Sequence, residues 1–223
     1  MRKDNPKLLK VLNEAVAASG APAISANFAG YLRRVKKLNT ATAPAELQRF
    51  RDTVAVFRRY ADRYGFDGLM MLAQGFQESQ LNQNARSGGG AVGLLQVMPT
   101  TGQAMGVGDI RQAEANVHAG TKYLRRLLDT YFPRADFDEQ NRTLFAFAAY
   151  NMGPGRMRQM RELAKKEGLN PSIWFDNVER VTAARVGQEP VRYVRNIYKY
   201  YIAYTLIEQA GAEAVQAGAR TND

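Results

Sequence analysis

The chain has 223 residues, no cysteine and one histidine, which excludes disulfides, thiol catalysis and cysteine-ligated zinc, and leaves a serine–histidine–aspartate triad nearly unavailable. Hydrophobic residues make up 45% of it and charged residues 23%, as in a soluble globular protein that buries a core without help from a metal. The net charge of +10 is concentrated at residues 1–65, where 13 lysines and arginines face 5 acidic residues. Two explanations fit this charge equally well. The basic residues attract an anionic polymer, or they belong to helix faces that are exposed to solvent and have no partner role.

The elements predicted in chain order are almost all helical. Leu47, Phe50, Val54, Phe57 and Ala61 recur every three or four residues, which is typical of an amphipathic helix, and Asp67 is expected to cap the helix after it. We expect helices over 6–19, 23–38, 45–64, 68–80, 112–131, 139–151, 155–167, 176–186 and 190–210, with short helical pieces around 93–106. No strand and no internal repeat is evident, so the sequence does not indicate an α/β fold.

A glycine-rich stretch at residues 82–93, NQNARSGGGAVG, interrupts the helices and predicts a loop. Glu78 stands just before it, near the C-terminal end of an apolar helix. Burial and the unpaired carbonyls of a helix end both disfavour a charged carboxylate, so the pKa of Glu78 should be raised, as a general acid requires near neutral pH. Taken alone, Glu78 is better explained as an ordinary surface residue at a helix end than as a catalytic acid.

Neutral hydrogen-bonding residues surround this acid in the sequence. Residues 79–108 contain no aspartate or glutamate, but include Ser87 and Gln96, and Tyr150 and Asn151 follow later. Such groups beside one acid suit an uncharged, polyhydroxylated, N-acetylated ligand, because glycines let the backbone approach a sugar closely. A retaining glycosidase would also need a second carboxylate about 5 Å away, which the acid-free stretch does not supply. A distant acid could still fold into place.

Four ordered segments resemble the motifs of the lysozyme-like lytic transglycosylases of bacterial cell walls. They are Glu78-Ser79 for Glu-Ser, Ser87 to Pro99 for Ser-x-x-Gly-Ala-x-Gly-Leu-x-Gln-x-Met-Pro, Ala149 to Gly153 for Ala-Tyr-Asn-x-Gly, and Glu189 to Val194 for Glu-x-x-x-Tyr-Val. The segments TLFAFAAYN and YVRNIYKYY resemble most the membrane-bound transglycosylase F branch. Four motifs in this order are far more specific than any one of them.

The resemblance implies an all-α fold with at most a minimal β element, like goose-type lysozyme and the soluble lytic transglycosylases. It assigns residues 61–212 to the catalytic domain, 1–60 to a helical extension or connection to an upstream domain, and 213–223 to a flexible tail. In the F branch a solute-binding-like regulatory domain precedes the catalytic domain, which would explain why this chain shows no export signal. We expect a periplasmic, outer-membrane-associated monomer that acts on peptidoglycan and binds no nucleic acid, metal or cofactor.

The resemblance also implies a mechanism and a set of site residues. The bond between N-acetylmuramic acid and N-acetylglucosamine would be cleaved without water, giving 1,6-anhydro-muramoyl products. Glu78 would be the only catalytic residue, first as acid and then as base. Substrate binding would fall to Ser87, Gln96, Met98, Tyr150, Asn151 and Tyr193, with the Tyr193 hydroxyl directed at the substrate N-acetyl group or at Glu78.

Two other functions fit the sequence: a hydrolytic muramidase or chitinase on the same fold, and a non-catalytic glycan-binding module. His118 is expected to be structural or exposed. Trp174 either stacks on a distant sugar or anchors the core. Gly106-Val107-Gly108 lacks the strand and third glycine of a dinucleotide site, and no nucleic-acid-binding motif accompanies the basic N-terminal quarter.

Overall fold

A computed structural model describes residues 44–220, with side chains over 52–205. The chain divides into two compact units, Met1–Arg51 and Asp52–Asp223, and the candidate site lies in the second. The helices expected at 6–19 and 23–38 lie outside the described residues. The domain boundary at residues 60 and 61 and the flexibility of the tail stay predictions.

Eight α-helices, joined mostly by short connections, make up most of residues 44–220. They are α1 (Pro44–Tyr64), α2 (Gly68–Ser79), α3 (Pro99–Met105), α4 (Ala113–Tyr131), α5 (Glu139–Met152), α6 (Pro154–Lys166), α7 (Glu179–Arg185) and α8 (Gln188–Arg220). A wide turn at Trp174–Val178, kinked at Phe175 and Asp176, leads into α7. Within the described range the only β structure is a pair of isolated bridges, Arg86 with Val92 and Val92 with Val97. The all-α prediction is confirmed.

Helix α2 is buried against its neighbours. Its residues from Met71 to Gly75 are buried, and so is Phe57 of α1. Gly75 allows this packing, because a Cβ atom there would lie 2.4 Å from the ring of Phe57. Val194 and Ile197 of α8 are also buried. Each such side chain contributes about 2 kcal/mol of burial energy, so the position of α2 is fixed by the core.

A second part of the core is aromatic. Phe132, Phe137, Phe145 and Trp174 stack edge-on or tilted, with ring centroids 5.1–5.8 Å apart. Trp174 is fully buried there. It therefore anchors the core, and the alternative of a sugar-stacking tryptophan is excluded for this conformation.

The single histidine is structural. His118 stacks on Tyr60 with ring centroids 4.4 Å apart, and its Nε2 lies 2.8 Å from the hydroxyl oxygen of Tyr64. Burial lowers the pKa of His118, with a further lowering from the nearby charge of Arg63. At neutral pH this favours the uncharged ring, which suits a packing role.

Two stretches differ from the sequence prediction. Residues 93–98 are not helical, because Gly93 and Gln96 adopt left-handed backbone angles (φ 80° and 44°) and the chain folds into the two bridges. Helix α8 continues to Arg220 instead of ending near 210. Residues 211–220 include four alanines, the residue that most favours a helix, and these offset Gly211 and Gly218.

Among the described residues, none of the helices combines the length and the apolar composition that a membrane span needs. In the same residues, no group of three or more histidine or acidic side chains is placed to hold a metal ion.

Candidate active site

Glu78 lies in the last turn of α2, and its carboxylate is held by Tyr193 of α8. The Tyr193 hydroxyl donates to Glu78 Oε1 at 2.5 Å, and Tyr193 itself is only 3% exposed. The two residues are 115 positions apart in sequence, so only the packing of α8 against α2 brings them together. Of the two directions that we expected for the Tyr193 hydroxyl, the structure has the one toward Glu78.

Gln74 extends this contact into the core. It lies one helical turn before Glu78 on the same face of α2. Its Nε2 donates to the Tyr193 hydroxyl oxygen at 3.3 Å, and the side chain is fully buried. Because that oxygen accepts from Gln74, the tyrosine proton points to Glu78. Gln74 Oε1 has no partner among the described residues.

The environment of Glu78 favours its protonated form. Burial raises its pKa from 4.5 to about 7, the Tyr193 hydrogen bond lowers it by less, and the charge of Glu189 raises it slightly. Burial and the Glu78 charge also raise the pKa of Tyr150 and of Tyr193 well above their usual range. Both phenols therefore stay protonated near neutral pH. The raised pKa that we predicted for Glu78 is present, and burial is its main cause.

Ser79 joins the end of α2 to the glycine-rich loop. Its hydroxyl oxygen lies 3.0 Å from the carbonyl oxygen of Leu94 and 3.2 Å from that of Gly75, and it accepts from the backbone N–H of Asn82 at 3.2 Å. The second residue of the Glu-Ser pair thus fixes the loop beside the catalytic candidate.

Asn116 of α4 holds the same loop from the other side. Its Oδ1 accepts from Leu95 N at 2.8 Å, and its Nδ2 donates to the carbonyls of Val92 and Ile110 at 2.8 and 2.9 Å. Gly93 is required here, because a Cβ atom on it would lie 2.3 Å from Asn116 Nδ2 and its φ is 80°. The glycine of the Gly-Leu-x-Gln motif is therefore explained by packing.

Tyr150 and Asn151 approach the site from the end of α5. The Tyr150 hydroxyl donates to the Leu95 carbonyl at 2.8 Å. Glu78 is close enough to the phenol for its negative charge to raise the pKa of Tyr150. Asn151 Nδ2 donates to Glu189 Oε1 at 3.1 Å, while Asn151 Oδ1 is buried with no partner in the described residues. All four motifs thus contact one another around Glu78, the Ser87–Pro99 motif through the carbonyls of Leu94 and Leu95.

The remaining predicted residues lie on the loop. Ser87 is exposed, and its hydroxyl oxygen accepts from Ala91 N at 2.9 Å. Gln96 Nε2 donates to the Gly93 carbonyl at 2.9 Å. Met98, at the start of α3, is 42% exposed, which is unusual for its type. These contacts shape the loop, and the sugar contacts expected of these residues stay predictions.

Two residues of the site were not among those predicted. Gln74 was detectable, because a glutamine four positions before Glu78 on an apolar helix must share its face. Glu189 belongs to one of the recognised motifs, but its effect on Glu78 depends on the contact between α2 and α8. It is the distant acid that the sequence could not place.

Comparisons with known proteins identify one family. Residues 55–173 match the family described as the transglycosylase SLT domain. A membrane-bound lytic murein transglycosylase F of Pseudomonas fluorescens (strain Pf0-1) is 36% identical over 174 residues, which cover 72% of this chain and 35% of that relative. The protein of the same name in Marinobacter nauticus is 31% identical over 203 residues, 85% of this chain and 40% of its own. The chain thus spans little more than a third of these relatives.

Solved structures lead to the same family. The X-ray structure of an inactive mutant of lytic transglycosylase Slt from Pseudomonas aeruginosa matches with a TM-score of 0.54 and 27% identity, over 70% of this chain and 24% of that one. The 70 kDa soluble lytic transglycosylase of Escherichia coli matches with a TM-score of 0.53 and 25% identity, over 69% of this chain and 24% of that one.

Proposed function

Because the chain belongs to the transglycosylase SLT domain family, we propose that it is a lytic transglycosylase that cleaves peptidoglycan glycan strands, with Glu78 as its single acid/base. The observation that carries this proposal is the buried Glu78, whose carboxyl group accepts a hydrogen bond from the Tyr193 hydroxyl and whose pKa is raised to about 7. An acid with a pKa of about 7 can both give and take a proton at neutral pH, as the reaction requires.

The Tyr193 contact assigns different roles to the two oxygens of Glu78. Oε1 accepts from Tyr193, so the transferable proton resides on Oε2. In the first step Oε2 gives this proton to the glycosidic oxygen, and the bond from that oxygen to the muramoyl C1 breaks. The carbonyl oxygen of the substrate's own N-acetyl group bonds to C1 and takes the place of an enzyme nucleophile.

In the second step Glu78 acts as base. Its carboxylate takes the proton of the muramoyl C6 hydroxyl, O6 bonds to C1, and the bond from C1 to the acetyl oxygen breaks. The product is a 1,6-anhydro sugar, and Glu78 is protonated again. A tethered hydroxyl of this kind lowers a barrier by several kcal/mol, about 7 or more in favourable cases, relative to an external one.

The neutral residues around Glu78 are proposed to bind the sugars. Ser87, Gln96 and Asn151 offer hydrogen bonds, and the exposed Met98 offers an apolar surface beneath a ring. Tyr150 lines the cleft beside Glu78. The buried, unpaired Oδ1 of Asn151 is an acceptor without a partner in the described residues, which suits a substrate N–H or O–H.

The location and partners follow from the same proposal. A murein substrate fits the periplasm, and relatives of this chain are named membrane-bound. We propose a periplasmic protein associated with the outer membrane. The relatives' greater length leaves room for an upstream regulatory domain of the solute-binding type. We propose a monomer, because one chain supplies every residue that the mechanism uses.

Product analysis of digested sacculi tests this function. Mass spectrometry should find anhydro-muropeptides. Products with a reducing end would instead indicate a hydrolase, in which Glu189 is the candidate second carboxylate. Binding to sacculi without any cleavage would indicate the non-catalytic module.

A further inference from the structure

Gln96, on the glycine-rich side of the candidate active site, has a backbone conformation that few residues with a side chain adopt. Its φ is 44°, in the left-handed region, although it is not a glycine. Such strain persists only where the surrounding structure imposes it, and it is concentrated at functional sites. The contacts that impose it on Gln96 therefore bear on function.

The side-chain amide of Gln96 offers a ligand an acceptor and no donor. Its Nε2 donates to the carbonyls of Gly93 at 2.9 Å and Ala85 at 3.4 Å, so both N–H groups are used inside the loop. Because both partners are carbonyl oxygens, the orientation of the amide is fixed. Gln96 is partly exposed, and its Oε1 has no hydrogen-bond partner within residues 52–205.

Leu95, the residue before it, is held at both of its backbone groups. Asn116 Oδ1 accepts from the Leu95 N–H at 2.8 Å, and the Tyr150 hydroxyl donates to the Leu95 carbonyl at 2.8 Å. That carbonyl belongs to the peptide plane that leads into Gln96. Helices α4 and α5 together therefore fix the direction in which the chain enters Gln96.

Gly120 lets α4 approach Leu95 closely enough for this contact. A Cβ atom on Gly120 would lie 2.5 Å from Leu95 Cδ1, 2.8 Å from Leu95 Cβ and 3.1 Å from the Tyr150 hydroxyl oxygen. Gly120 follows Asn116 by four positions and shares its face of α4. Glycine favours a helix less than alanine does, so its place in the middle of α4 is explained by this contact. We call Asn116, Gly120 and Tyr150 the Leu95 clamp.

Hydrogen bonds join this part of the loop to the surroundings of Glu78. The hydroxyl oxygen of Ser79, the residue after Glu78, lies 3.0 Å from the carbonyl oxygen of Leu94. Tyr150 is close enough to Glu78 for that charge to raise the pKa of the phenol. Gln96 is therefore held next to contacts that Glu78 and its neighbour make.

We propose that the three residues of the Leu95 clamp are positioning residues, which hold Gln96 so that its Oε1 accepts a hydrogen bond from an N–H or O–H of the glycan. The proposal rests on the proposed function, which places a glycan beside Glu78. An acceptor that is fixed before the ligand arrives loses little conformational freedom on binding. The strain at Gln96 thus contributes to substrate recognition.

Double-mutant cycles test the proposal, with kcat/KM for the release of anhydro products from soluble glycan strands as the readout. Gln96→Ala removes the acceptor, while Gly120→Ala and Tyr150→Phe disturb the clamp. Each single variant should lower kcat/KM by about tenfold, the value of one hydrogen bond. Either clamp variant combined with Gln96→Ala should also be about tenfold below the wild type, rather than a hundredfold, because both changes remove the same contact.

Gly155→Ala is the matched control for Gly120→Ala. Gly155 is also a helical glycine, at the start of α6, and a Cβ atom there would have no neighbour within 4 Å. This variant should leave kcat/KM unchanged, alone and in combination with Gln96→Ala.

The strain is tested separately by comparing Gln96→Gly with Gln96→Ala. Both remove the same acceptor, so their kcat/KM values should be equal. Glycine adopts a positive φ without strain, so Gln96→Gly should have the higher melting temperature. Equal melting temperatures would contradict the claim that the clamp imposes strain.

The proposal is overturned if the effects of the clamp variants and of Gln96→Ala multiply, or if a folded clamp variant keeps the wild-type kcat/KM. Circular dichroism checks folding. Tyr150→Phe adds no atom to the core, so its cycle decides the question even if Gly120→Ala does not fold. Release of anhydro products by the wild type supports the proposed function in the same assay, and their absence would contradict that function.

Discussion

At its N-terminal end α2 is capped by Asp67, whose Oδ1 accepts from the backbone N–H groups of Leu69 and Met70 at 2.8 and 3.1 Å. At its C-terminal end the same helix carries the acid Glu78, has no basic residue in its last turn, and closes through Gln80 and Leu81 at positive φ. A carboxylate is favourable at the first end and unfavourable at the second. The N-terminal end of α2 therefore stabilises the fold. The C-terminal end destabilises the ionised form of Glu78, which raises the pKa of this residue.

The largest expected effect on activity comes from replacing Glu78, at the C-terminal end of α2. Glu78→Gln keeps the shape and can still accept from Tyr193, but it cannot transfer a proton. We expect kcat to fall by about a thousandfold or more. Release of anhydro-muropeptides from sacculi measures it. Wild-type activity in this variant would mean that another residue moves the proton.

The same variant provides its own folding control. The pKa of Glu78 rises from 4.5 to about 7 on folding, so the wild type loses stability as pH rises through this range. Glu78→Gln lacks this loss. Its melting temperature should match the wild type near pH 4 and exceed it at pH 8.

The second effect tests the contact between α2 and α8. Tyr193→Phe removes the 2.5 Å hydrogen bond to Glu78. We expect kcat/KM to fall by about tenfold to a hundredfold, the value of a charge-assisted hydrogen bond. Because that bond lowers the pKa of Glu78, the loss of activity at alkaline pH should shift to higher pH. Tyr198→Phe, elsewhere on α8, is the control and should leave the pH profile unchanged.

A smaller effect is expected from Gln74. Gln74→Leu removes the donor that orients the Tyr193 hydroxyl, together with a buried oxygen that has no described partner. We expect kcat to fall by about threefold to tenfold, while the free energy of unfolding stays equal or increases. Kinetics and denaturant unfolding of one preparation check both. Loss of stability with unchanged kcat would assign Gln74 to packing alone.

Much of this arrangement was predictable from the sequence. Asp67 as a cap, Glu78 at a helix end, and the loop at 82–93 follow from local patterns, and the helix order from residue 45 onward is confirmed. The conformation of 93–98 was not predictable, because Asn116, about twenty residues further along the chain, holds it. The Tyr193 and Glu189 contacts with the site depend on helix packing, which no local pattern contains.

The smallest expected effect comes from replacing Asp67, which caps the N-terminal end of α2. Asp67→Ala should lower the free energy of unfolding by about 1 kcal/mol, because two backbone N–H groups lose their acceptor. At a temperature where the variant is folded, kcat should be unchanged. A large loss of kcat would show that the two ends of α2 are not separable as the comparison states.

The protonation state of Glu78 in the free enzyme tests the central claim most directly. Carbon-13 NMR of glutamate-labelled protein, with Glu78→Gln to assign the signal, gives the titration of this one carboxyl group. We predict a pKa of about 7. A pKa near the ordinary value of 4.5 would mean that Glu78 is ionised at neutral pH, and would contradict its role as the acid.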